Sequence, residues 1–209
     1  EGWYRSNFPL HSSTQPGCAI GEASPYYLIH PHTPRRILEF SPAMKIIMLL
    51  RDPSERAISH YHHERARGRE PLPIGEALRR EEERTAIHWQ RMLEDENYYS
   101  RIHRSYSYKQ RGCYAEQIAR HLDYFDRSQI LILDSQEMFR EPQHVLETVW
   151  TFLEVHAEPG CIDIGAKNRG EYQRRVDPAV RDYLDNYFEV PNQQLQDLLQ
   201  DESSASRAA

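Results

Sequence analysis

Two unbroken apolar runs, KIIMLL at Lys45–Leu50 and ILILDS at Ile130–Ser135, restrict the fold more than any other feature of the chain. A strand with one wet face would alternate apolar and polar residues, whereas a continuous run suits a parallel strand covered on both faces. Helical periodicity surrounds these runs: Asp52 to about Gly68, Ile74 to about Glu94, Tyr114 to Phe125, Pro142 to Val155, Pro178 to Phe188 and Pro191 to Gln200. Tyr114, Ile118 and Leu122 share one helix face, as do Val145, Val149 and Phe152. Pro142, Pro178 and Pro191 each suit a first helical turn, where a missing N–H costs nothing. Strands alternating with helices predict an α/β layer fold, a central parallel sheet flanked by helices.

Weaker signals fill the remainder. CAIGEAS, Cys18 to Ser24, is a short strand candidate, and Pro25, Pro31 and Pro34 then break the chain into turns and one short helix. Residues 1–15 show no period and are expected to be irregular, packing through Trp3, Tyr4 and Phe8. The final stretch DESSASRAA, Asp201 to Ala209, is predicted to be a disordered tail, leaving a single domain over residues 1–200.

Charge and cysteine content exclude several classes. With 26 basic and 32 acidic residues the net charge is −6, so a broad nucleic-acid footprint is not expected. The only lysines are Lys45, Lys109 and Lys167; nearly all positive charge is guanidinium, which grips phosphate or sulfate through a two-pronged fork. The base composition of the gene would give the same bias. Cys18, Cys113 and Cys161 are odd in number and lack paired metal spacing, which predicts neither a disulfide framework nor a zinc site. A reducing, cytoplasmic compartment fits, with no signal peptide in EGWYRSNFPL and no apolar run near the roughly 20 residues of a membrane span.

The first strand leads straight into a well-marked helix start. Asp52 is a cap candidate, Pro53 fits the first helical position, and Glu55 stands three residues after the cap. In parallel sheets ligands bind beyond the carboxyl ends of the strands, where helix N-termini offer free N–H groups and positive dipole ends. Arg51 stands at that edge, and Arg56 and Ser59 share a helix face with His60 and His63. These groups could converge on one phosphate; equally, Arg56 could pair with Asp52 or Glu64 while Ser59 packs on the sheet. His60, His62 and His63 lack the four-residue separation of a helical zinc pair, so no metal is expected there.

LLRDPSERAISHY resembles the 3′-phosphate-binding segment of sulfotransferases that use 3′-phosphoadenosine 5′-phosphosulfate (PAPS). GEASPYY, Gly21 to Tyr27, is similar to the GEKxPxYF segment of the heparan-sulfate-like and bacterial branch. RGCYAEQIARHLDYF, ILILDSQEMFREP and DPAVRDYLDNYFEVPNQQLQDLL resemble later segments in the same order. The resemblance implies a P-loop-NTPase-like three-layer fold, PAPS as donor, 3′,5′-diphosphoadenosine as product, and a small-molecule or glycan acceptor with a hydroxyl or amine. It assigns Arg51 and Ser59 to the 3′-phosphate, with Arg56 beside them, and Glu22 as the base that deprotonates the acceptor. His63 becomes a substrate-side catalytic candidate. AKNRGEY, Ala166 to Tyr172, lies where the family closes a basic glycine loop over the nucleotide, which points to Lys167, Arg169 and Gly170. The family's lysine after the catalytic glutamate is Ala23 here, removing one cation.

One family feature is not in the sequence. None of the nine glycines is followed by lysine, so no KxGTT-like loop for the 5′-phosphosulfate occurs, and the first βα unit of the fold is expected to be missing. Two rivals to a transferase follow: a nucleotide-binding or interaction module that does not catalyse, and a relative of P-loop nucleotide kinases. The second is disfavoured by the missing Walker loop.

Overall fold

The computed structural model describes residues 2–9, 17–156 and 176–207, apart from the side chains of Trp3, Arg5 and 201–207. Both apolar runs form strands: β1 (Ile46–Leu50) and β2 (Ile130–Asp134) pair in parallel, Ile46 opposite Ile130 and Leu50 opposite Asp134. The helices are α1 (Gly2–Arg5), α2 (Thr33–Phe40), α3 (Pro53–Ala66), α4 (Ile74–Arg79), α5 (Glu81–Glu94), α6 (Arg101–Tyr106), α7 (Tyr114–Leu122), α8 (Ser135–Arg140), α9 (Pro142–Leu153) and α10 (Pro178–Arg207). A parallel sheet with helices between its strands is the expected α/β arrangement.

Several boundaries differ from the sequence reading. CAIGEAS forms no strand, because neither β1 nor β2 pairs with it; residues 18–24 carry no regular structure. The single helix expected from Ile74 to Glu94 is two, divided at Arg80, whose φ of −88° and ψ of 5° leave helical geometry. Conversely, the two helices expected on either side of Val190 are one continuous α10 that contains Pro191. An interior proline costs about 3 kcal/mol. Burial on both sides offsets this: Leu184 and Phe188 are fully buried before it, while Leu195 and Leu198 pack on the sheet core after it. The same helix runs to Arg207, through residues expected to form a tail.

Two apolar clusters hold the molecule together. Met48, Leu50, Ile130, Tyr114, Ile118 and Phe125 pack α7 on one face of the sheet. Ala57, Ile58 and Tyr61 of α3 meet Ala77, Leu78, Tyr108, Leu184 and Phe188 in the second. Gly112 lies at the seam, where an added Cβ would stand 2.7 Å from the Phe188 ring and 2.8 Å from Pro53 Cβ. Along β1 burial alternates: Met48 and Leu50 are buried, while Ile47 and Leu49 remain 40% and 54% exposed. The strand is thus covered on one face among the described residues, not on both. No helix among the described residues is long and apolar enough to cross a membrane.

Candidate functional site at the start of helix α3

The expected helix start forms as the sequence indicates. The Asp52 side chain accepts a hydrogen bond from the Glu55 N–H at 2.8 Å, and Pro53 occupies the first turn. This end is tied to α10, where Ser54 Oγ donates to Asp185 at 2.6 Å and Arg181 pairs with Glu55. Arg51 follows the last residue of β1; its carbonyl accepts from the Tyr114 hydroxyl at 3.0 Å, and its half-exposed guanidinium lies 3.7 Å from Glu55. The chain therefore presents a capped helix N-terminus and a loosely paired arginine at the carboxyl edge of the sheet.

Further along α3, the four candidates on one face meet different surroundings. Ser59 is half-buried, and His63 is exposed. Arg56 turns inward: its guanidinium donates to the Tyr108 carbonyl, and its buried Nε has no partner among the described residues. Neither Asp52 nor Glu64 pairs with it. Burial lowers the Arg56 pKa, opposed mainly by Tyr114 and Glu81. The His60 ring packs edge-on against Tyr108, 4.9 Å between centroids, and burial followed by the Arg111 charge holds its pKa well below the ordinary histidine value.

Glu22 lies in the irregular segment before α2 and is exposed. Its Oε1 accepts hydrogen bonds from the Tyr27 hydroxyl at 2.7 Å and from the Tyr4 hydroxyl. Partial burial, then the bond to Glu22, pushes both phenols up to about 12. Lys167, Arg169 and Gly170 lie outside the described residues.

A polar layer beneath α3 was not anticipated. The Tyr26 hydroxyl meets His103 Nδ1 at 2.7 Å, and His103 Nε2 meets Gln110 Oε1 at 2.7 Å, so Nε2 carries the proton and Nδ1 accepts. The backbone N–H groups of Lys109 and Gln110 donate to buried Glu81 at 2.6 and 2.9 Å. Arg111 lies deep in this layer, its guanidinium 4.8 Å from the Tyr26 ring; burial, then the Arg56 charge, lowers its pKa to about 10. The RGCY stretch at Arg111–Tyr114 was the available signal, but nothing in its spacing ties it to Tyr26. Two surface hollows, roughly 450 Å³ along α9 and 210 Å³ beside α6, contain none of these groups.

Residues 17–196 match the family described as "Sulfotransferase domain". The mouse "Bifunctional heparan sulfate N-deacetylase/N-sulfotransferase 4" is 28% identical over 94% of this chain and 24% of its own length. The mouse "Heparan sulfate glucosamine 3-O-sulfotransferase 5" is 26% identical over 91% of this chain and 57% of its own. The chain thus spans about a quarter of the first relative and just over half of the second. A solved structure, the sulfotransferase from Alicyclobacillus acidocaldarius, aligns with a TM-score of 0.75 at 30% identity, covering 96% of this chain and 71% of that one. Its likeness extends the local α/β agreement to the whole described fold, the P-loop-like architecture expected from the motifs. With its match to the family running from ahead of Glu22 to beyond Pro191, the chain belongs to the sulfotransferase family.

Proposed function

We propose that this chain moves a sulfonate group from PAPS to a hydroxyl or amine of a glycan or small-molecule acceptor. The observation that carries the reading is the start of α3: a capped helix N-terminus with Arg51 beside it at the carboxyl edge of β1. In this reading Arg51 and Ser59 hold the 3′-phosphate of the donor, and the arrangement suits an anion because, among the described residues, the Arg51 guanidinium has only a long contact to Glu55. Arg56, spent on the Tyr108 carbonyl, supports the helix from beneath. Lys167, Arg169 and Gly170 close over the nucleotide, and exposed His63 faces the acceptor. Glu22 takes the acceptor proton as the new bond to sulfur forms, while the electron pair of the broken S–O bond leaves with 3′,5′-diphosphoadenosine.

The domain is completed, in the same reading, by a further βα unit whose strand carries the 5′-phosphosulfate loop and whose helix packs on the face bearing Ile47 and Leu49; their exposure supports this. Calorimetry with 3′,5′-diphosphoadenosine tests the nucleotide assignment. Removing a charge-assisted hydrogen bond costs about 1.5–3 kcal/mol, so Arg51→Ala should weaken binding about 10- to 100-fold. Unchanged affinity in Arg51→Ala and Ser59→Ala would sink it. Since the sequence has no KxGTT-like loop, the rival reading is a nucleotide-binding module; diphosphate binding by this chain together with sulfonate transfer would exclude it.

A further inference from the structure

We infer that Tyr4 and Tyr27 are positioning residues that together clamp one oxygen of Glu22 and leave the other to receive the acceptor proton. The inference rests on the proposed role of Glu22 as base. Both phenol hydroxyls donate to Oε1, from opposite sides in sequence, one from α1 and one from the turn before α2. Oε2 has no hydrogen-bond partner among the described residues. A carboxylate on an irregular, exposed segment would otherwise rotate about its last two side-chain torsions; two donors on one oxygen fix its plane and direct the free lone pairs outward.

The clamp is itself held. The Tyr4 ring packs edge-on against Phe8 and Phe40, with centroids 5.1 and 5.2 Å away, which ties α1 to the end of α2. Phenols that ionise only far above neutral pH remain donors throughout the working range. Among the described residues, Tyr4 and Tyr27 are the titratable groups that contact Glu22, and no cation pairs with it.

The clamp has a signature of its own. Tyr27→Phe and Tyr4→Phe keep each ring and remove only the hydroxyl, so folding is preserved. Carboxyl carbon NMR of the full chain labelled at glutamate, with Glu22 assigned by its loss in Glu22→Gln, reads the hydrogen bonding of the Glu22 carboxylate through its chemical shift. Each Phe variant should move that resonance, and the double variant further, because each removes one donor from Oε1. Tyr98→Phe, which removes a hydroxyl bonded to His88, should leave it in place. In turnover, kcat should fall with KM nearly constant. An unmoved Glu22 carboxyl resonance in the double variant would overturn the clamp, whatever the activity. Full transfer by Glu22→Gln would instead overturn the base assignment, so the two failures are distinguishable.

Discussion

At the scale of single residues, buried charge gives the sharpest tests. Glu70 is fully buried, and its oxygens receive the Tyr108 hydroxyl at 2.7 Å, Arg84 at 2.8 Å and the Leu72 N–H at 3.0 Å. Glu70→Ala would strand the Arg84 guanidinium and the Tyr108 phenol in the interior. A loss of about 3–5 kcal/mol is expected, read from urea unfolding. The histidines predict a pH dependence. His30 and His103 are both held down to about 4, chiefly by burial, with neighbouring arginines adding to it. Their folded pKa values lie below the unfolded value near 6.5, so the unfolded chain binds more protons between these limits. Stability should therefore fall as pH drops from about 6.5 towards 4, visible as a declining urea midpoint. His103→Gln should flatten that decline.

Among the elements, legibility followed how local the determinants were. The Asp52 cap, Pro53 and Glu55 lie within four residues, so the start of α3 could be read directly. β1 and β2 were equally plain, because an apolar run needs no knowledge of its partner. By contrast, α6 and α8 are six residues each and depend on caps, Ser100 accepting from the His103 N–H at 3.0 Å and Asp134 from Gln136 at 2.8 Å. Such short periodic patterns are too brief to register as helices. The continuity of α10 through Pro191 was hidden for another reason: the contacts that outweigh the proline come from α3, α7 and the strands, all distant in sequence. Glu22 could be named from its motif, yet its tyrosine contacts could not, since Tyr4 comes from a segment without a readable period. Gly112 tests the packing between these elements. Gly112→Ala should cost about 1–3 kcal/mol in unfolding experiments, as Phe188 and Pro53 must give way.

At the scale of the whole molecule, the governing feature is the two-stranded sheet, one apolar face of which is open among the described residues. Ile47 and Leu49 contribute little to stability where they stand, so Ile47→Lys with Leu49→Lys should change unfolding free energy only slightly while reducing concentration-dependent association in sedimentation. A large loss of stability would mean that another part of the chain covers this face. The register of the sheet also bears on how the chain comes to be folded. Ile46 waits for Ile130, and α3 to α7 lie between them. During synthesis β1 emerges long before its partner exists, so the helices that intervene must gather first and bring the two strands within reach. Sheet formation is then a late, closing event, and amides of β1 should be among the last to gain protection in pulse-labelled refolding.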